Sequence, residues 1–128
     1  MAILLKIHWD IKKGREPEFR RSQETLCAVM SADHPGVICY HVDYPAPDVS
    51  EWTEIYASNA VFRAHLDNPK GQEPLAALVD ACERITCSCW GDADADSRRL
   101  LEGFGTTYHE TAKAAFVLHP RADRASPI

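Results

Sequence analysis

Glu51-Trp-Thr-Glu-Ile-Tyr-Ala-Ser-Asn-Ala-Val-Phe-Arg-Ala-His-Leu-Asp-Asn-Pro69 decides the fold. Aromatic and β-branched residues dominate from Glu51 to Ala57, which suits a pleated, half-buried strand. Trp52, Glu54 and Tyr56 fall on one face of it. Ser58 is placed to cap a helix with its hydroxyl. Ala60, Val61, Ala64, His65 and Leu66 then recur at helical spacing. Asn68-Pro69 ends the run, because a residue before proline is pushed out of helical dihedrals.

Outward from this stretch the chain alternates between the two periods. Ile3, Leu5, Ile7, Trp9 and Ile11 form one face of an N-terminal strand, with Leu4, Lys6, His8 and Asp10 on the other. Lys12-Lys13-Gly14 turns the chain. Glu16-Pro17 opens a helix, where proline's missing N–H costs little. It runs to about Ala32, and Asp33-His34-Pro35-Gly36 breaks it. Val37 to Tyr44 is a strand with Ile38, Tyr40, Val42 and Tyr44 on one face and Val37, Cys39, His41 and Asp43 on the other. After the central helix, Lys70 to Glu73 reads as a loop and Pro74 to about Ala81 as a helix. Glu83 to Trp90 is the last core strand. The order β-α-β-β-α-β is the split βαβ, ferredoxin-like arrangement, an α+β fold with both helices on one sheet face.

The motif Glu54-x-Tyr56-x-Ser58-x-x-x-Phe62-x-x-His65-Leu66-x-x-Pro69 resembles the strand–helix segment of the antibiotic-biosynthesis-monooxygenase-like family, whose members are dimeric α+β barrels. The resemblance spans roughly Ile3 to Asp92. It implies a domain over residues 1–92, with 93–128 as a C-terminal extension lying on its own or a partner subunit. It also implies a homodimer closed across the uncovered sheet face, and a pocket between helices and sheet. The implied activity is cofactor-independent monooxygenation of a small phenolic or quinol-type aromatic. A non-oxidative small-molecule-binding or isomerase-like protein of the same fold is the alternative.

For that activity the expected catalytic residues are His65 and Tyr56. A histidine of ordinary pKa, about 6.5, suits base work near neutrality, and a tyrosine can hydrogen-bond and stack on an aromatic ligand. Trp9, Trp52, Phe62, Tyr40 and His41 are the expected pocket residues. Glu54 matches the family's recurrent acid and is expected in a salt bridge. Haem is discounted: relatives that degrade haem use an Asn on the first strand, absent here, and His65 stands where they have a tryptophan. Quinol-oxidising relatives often have Pro-His after the central helix, where this chain has Pro69-Lys70.

Bulk properties narrow the partners. The 128 residues suffice for one core. A net charge of −5 without a basic run argues against a nucleic-acid surface. No stretch approaches the roughly 20 apolar residues of a membrane helix, and Lys6, His8 and Asp10 interrupt the N-terminus too early for a signal peptide. A cytoplasmic protein is expected. An odd cysteine count, five, fits free thiols there. Cys87-x-Cys89 lacks the second pair that a zinc site needs, so both are expected in the core, with no metal and no cofactor. Gly-x-Ser-x-Gly, phosphate-loop and dinucleotide motifs are absent.

Overall fold

A computed structural model describes residues 2–109. Strand β1 (Ile3–Ile11) is followed by α1 (Glu16–Asp33), β2 (Val37–Ala46), β3 (Val49–Tyr56), α2 (Asn59–Asp67), α3 (Pro69–Asp80), β4 (Cys82–Gly91), α4 (Ala95–Leu101), one turn of 3₁₀ helix (Glu102–Phe104) and β5 (Thr106–Tyr108). The strands form one sheet in the order β2-β3-β1-β4-β5, antiparallel except for the parallel β4–β5 pair. This is the expected α+β fold with additions at its C-terminal side.

The β1 alternation becomes two faces because its register is fixed on both sides. Leu5 lies opposite Glu54 and Cys89, and Ile7 opposite Trp52 and Cys87. Ile3, Leu5, Ile7, Trp9 and Ile11 are all buried beneath the helices. Phe19, Leu26 and Met30 of α1 and Leu78 of α3 close over them. The rings of Trp9, Phe19 and Trp52 pack edge-on or tilted, with centroids 4.9 to 6.2 Å apart. Cys87 and Cys89 are buried inward, as small apolar residues, and all five thiols are unpaired.

Three local readings change. The segment expected as a loop, Lys70 to Glu73, is the first half of α3. Pro69 sits in its first turn, and Asn68 caps it by accepting from the Lys70 N–H at 3.1 Å. Gly71 faces inward there, where a Cβ would stand 3.3 Å from Leu26 Cδ1, so this residue of the expected loop is a packing contact. On α2, Ala60 and Ala64 are exposed, and the buried stripe is Phe62 and His65. Ser58 caps α2 as expected, accepting from the Val61 N–H at 3.3 Å. Last, the chain after Gly91 adds a fifth strand. Gly105 takes the left-handed conformation (φ 58°) that lets the 3₁₀ turn enter β5. The apolar run Ala114–Leu118 lies outside the described residues.

The post-Gly91 segment is tied to α2. Asn59 Oδ1 accepts from the Asp94 N–H at 2.9 Å and from the Ser97 hydroxyl at 2.7 Å. Arg63 pairs with Asp94 at 2.6 Å. These bonds set Leu101 and Phe104 against the sheet-facing side of α2. The helices cover one sheet face only. On the outer face Leu4 lies between Ile55 and Trp90, and beyond them Lys6, His8, Asp10 and Glu51 are polar.

Candidate functional site

The gap between sheet and helices narrows to a chamber of about 20 Å³. Its floor is Leu5, Ile7, Trp9, Trp52 and Glu54, from alternate positions of β1 and β3. Its roof is Phe62, His65 and Leu66 of α2 and Leu75 of α3. Tyr40 of β2 closes one side, and Leu101 and Phe104 another. Those last two were not legible as site residues. The bonds from Asn59 and Arg63 to the post-Gly91 segment, with the pairing of β5 on β4, bring them to the chamber.

The sheet delivers two polar groups to this apolar space, Glu54 and Tyr40, and sets Tyr56 behind Glu54. Glu54 is 3% exposed. It was expected in a salt bridge, but no cation reaches it among the described residues; its partner is the Tyr56 hydroxyl, which donates to Glu54 Oε1. Residues two apart on a strand share a face, so the pair follows from β3 alternation. Burial disfavours the charged carboxylate and pushes the Glu54 pKa up from 4.5 to about 7, against the Tyr56 bond, which lowers it. Tyr56 and Tyr40 are pushed well above the ordinary tyrosine range, first by burial and then by Glu54, and stay protonated at neutral pH.

His65 hangs from α2 into the same space. Its ring stacks on Tyr56 (5.8 Å between centroids, 20° between planes) and meets Tyr40 edge-on at 5.8 Å. Burial, and after it the charge of His34, lowers its pKa to about 4. This changes the chemistry expected of it. A histidine of ordinary pKa is a ready base, whereas this imidazole is neutral at pH 7 and resists protonation. Glu54 is the group whose pKa matches neutral pH.

Among the described residues, two buried side-chain polar atoms have no partner, Trp9 Nε1 and His65 Nδ1. Both residues line the chamber. Leaving such an atom unsatisfied costs about 1–3 kcal/mol, and buried polar groups in native proteins are nearly always paired. Trp52, by contrast, is satisfied: its Nε1–H donates to Ser50 Oγ at 2.8 Å.

Six of the seven expected site residues are therefore in or against one chamber: Trp9, Tyr40, Trp52, Phe62 and His65 line it, and Tyr56 backs His65 and Glu54. His41 does not join them. It is one residue from Tyr40, so strand alternation turns it to the outer face, where it is exposed. Among the described residues no cluster of three or more His, Cys, Asp or Glu side chains has the arrangement of a metal site, and no helix is long and apolar enough to cross a membrane. A separate open hollow of about 270 Å³ lies on the outer face between Lys6, His8, Glu51, Thr53, Thr86 and Ser88. There His8 bonds Asp10 at 2.9 Å and Glu51 at 3.2 Å, which raise its pKa.

No protein-family model and no curated protein matches this chain. Solved structures do. A candidate antibiotic biosynthesis monooxygenase of Caulobacter crescentus superposes with a TM-score of 0.62 at 19% identity, over 69% of this chain and 86% of that one. A protein of Mycobacterium tuberculosis gives 0.65 at 14% identity, over 73% and 97%. SnoaB, a cofactor-independent oxygenase of Streptomyces nogalater, gives 0.59 at 14% identity, over 73% and 95%. At such identities the likeness establishes the fold and leaves the chemistry to be argued from the chamber.

Proposed function

We propose that this protein is a cofactor-independent monooxygenase acting on a small phenolic or quinol-type aromatic, which binds in the chamber above Glu54. The observation that carries the reading is the pair of unsatisfied buried atoms, Trp9 Nε1 and His65 Nδ1, on residues that line the same apolar space as a carboxyl group whose pKa is raised to about 7. A hydroxylated aromatic supplies what each lacks: a flat apolar body for the walls and hydroxyl groups for the two nitrogens.

In this reading Glu54, as carboxylate, takes the proton of the substrate hydroxyl. A catalytic base works best with a pKa near the operating pH. Tyr56 donates to the carboxylate and keeps it from rising further. His65, held by stacking on Tyr56, orients the hydroxyl without competing for its proton. Dioxygen is the co-reactant. For a hydroquinone, one oxygen atom enters the ring and the other leaves as water: hydroquinone plus O₂ gives hydroxyquinone plus water. Ionised substrate transfers electrons to oxygen far more readily than the neutral phenol does. The protein's part is deprotonation, positioning and exclusion of water.

Oxygen uptake with a panel of hydroquinones and anthrones tests this. Consumption by the wild type that Glu54→Gln reduces about 10²-fold or more, the low end for a lost general base, is the expected result. A panel without turnover refutes it. One observation favours the second reading, a binding protein without turnover: at about 20 Å³ the chamber is far smaller than the roughly 150 Å³ cavity that admits benzene. Tight binding of the same aromatics without oxygen uptake would decide for that reading.

We also propose that the protein works as a homodimer joined through the outer sheet face. The half-buried Leu4, Ile55 and Trp90 form an apolar strip on adjacent strands, which a second copy would cover. The polar hollow around His8 and Glu51 would then lie between the two copies.

A further inference from the structure

The charge on the outer sheet face gathers around one histidine. His8 sits on β1, the middle strand of the sheet, directly between Glu51 of β3 and Thr86 of β4. Asp10 follows two residues on and shares its face. The His8 side chain is 35% exposed, so in a single copy it exchanges its proton with solvent. The apolar strip of Leu4, Ile55 and Trp90 lies further along the same face.

His8 is bonded through both ring nitrogens. Its Nε2 lies 2.9 Å from Asp10 Oδ1 and its Nδ1 3.2 Å from Glu51 Oε1. An ionised carboxylate only accepts, and a neutral imidazole has one N–H to donate. Both bonds therefore form only while the ring carries a proton on each nitrogen. The Asp10 bond raises the His8 pKa most; burial opposes it and the Glu51 bond adds to it. The other groups facing His8 fix the balance of charge. Thr86 and Ser88 of β4 and Thr53 of β3 are uncharged. Lys6 of β1 and Arg84 of β4 are cations, and Arg84 reaches Asp10 at 3.6 Å. Asp43 of β2 pairs with Glu51 across the strands. Apart from its histidines, the register thus sets Lys6 and Arg84 on this face against Asp10, Glu51 and Asp43 among the described residues. One negative charge is in surplus, and a proton on His8 cancels it.

We propose that the proton on His8 latches two copies of this chain together: the dimer joined through the outer face is tight while His8 is charged and loosens when that proton leaves. With His8 charged, two neutral faces meet, and Asp10 and Glu51 keep their bonds as water is excluded. Without the proton, one carboxylate faces a nitrogen lone pair and two faces of like charge meet, which disfavours association. The apolar strip attracts equally at every pH, so His8 sets the strength of the contact and not its place. The sign follows from linkage. The dimer holds the proton more firmly than the free copy, so the stabilisation is complete below the His8 pKa of the free copy and is lost as pH rises through the higher value in the dimer. This rests on the outer-face dimer proposed above, and on neither turnover nor the chamber.

Sedimentation equilibrium of the full-length protein from pH 6 to pH 9, at fixed ionic strength, tests the latch. The dimer dissociation constant of the wild type should rise at least about tenfold over that range, within the usual span of such coupling. His8→Gln is uncharged throughout and should give the weak value at every pH. Glu51→Gln leaves the face neutral without the proton, so at pH 9 its dimer should be at least about tenfold tighter than the wild type's. Ring nitrogen NMR shifts of His8 in the dimer at pH 7 should show both nitrogens protonated. For a dimer too tight to dissociate at nanomolar concentration, the concentration-dependent urea midpoint of wild type against His8→Gln reads the same coupling. The two readings fail separately. A dimer whose dissociation constant stays flat within about threefold, below that span, overturns the latch and keeps the dimer. So does a pH dependence that His8→Gln leaves in place. A protein that runs as monomer at every pH overturns both.

Discussion

Replacing Glu54 with glutamine tests the electrostatics of the chamber without requiring a substrate. Glutamine keeps the shape and an oxygen to accept from Tyr56, and it cannot ionise. In the wild type, folding raises the Glu54 pKa from 4.5 to about 7. Between those values the folded state binds more protons than the unfolded one, so stability falls as pH rises through the window. The full loss is 7 minus 4.5, or 2.5 pK units, about 3 kcal/mol at 1.36 kcal/mol per unit, present above pH 7. His65 works in the opposite sense. Its pKa falls from 6.5 to about 4, the unfolded state binds more protons between them, and stability rises with pH over that range. Its loss is of similar size and is present below pH 4. The two windows overlap, so their slopes cancel in the wild type and this pair adds little net pH dependence. Glu54→Gln removes one of the two. Urea unfolding, followed by tryptophan fluorescence at fixed protein concentration from pH 4 to 8, should show the difference in stability between variant and wild type growing by about 3 kcal/mol. Any packing change from the substitution is constant with pH and drops out of that growth. A difference that stays flat within about 0.5 kcal/mol, the usual limit for independent sites, would mean that Glu54 ionises freely and that the base assignment lacks its physical ground.

Other outcomes follow from the same geometry. His65→Ala should lower kcat about 10²-fold, as loss of an orienting hydrogen bond in a dry site does, and should leave the pH of half-maximal activity in place; a shift of that pH would make His65 the base after all. Tyr56→Phe removes the bond that lowers the Glu54 pKa, so the acidic limb of the rate profile should move to higher pH, and an unmoved limb would show that Glu54 is not the titrating group. Sedimentation at micromolar concentration should show twice the 14.3 kDa chain mass, with more than about 1,600 Å² buried. Trp90→Glu should yield the monomer; a wild type that runs only as monomer refutes the dimer.

Much of the fold was legible because its signals are local. Period-two alternation from Ile3 to Ile11 survives as the two faces of β1, since an antiparallel neighbour on each side holds Ile3 to Asp10 in register. Ser58 caps the helix it precedes because a cap needs only its own next turn. The gathering of Trp9, Trp52, Phe62 and His65 was legible too, through face-sharing and the resemblance of the Glu51–Pro69 stretch. His41 shows the limit of that reasoning. It neighbours Tyr40 in sequence, and one residue's step on a strand places it on the other side of the sheet.

What the amino-acid order determined by itself was the sequence of elements, the inward face of the central strands and the identity of the groups near α2. Tertiary structure alone decided three things. Gly71 became a helix contact instead of a loop residue because Leu26 of α1, 45 positions earlier, lies against it. Leu101 and Phe104 joined the chamber because Asn59 and Arg63 hold the segment after Gly91. In the chamber the pKa nearest neutrality lies on Glu54 and not on His65. A pKa is set by the surroundings of a group. Burial opposes charge of either sign, so the same dry space that makes the imidazole a poor base raises the carboxyl to about neutrality, and no local pattern of residues encodes how dry that space is.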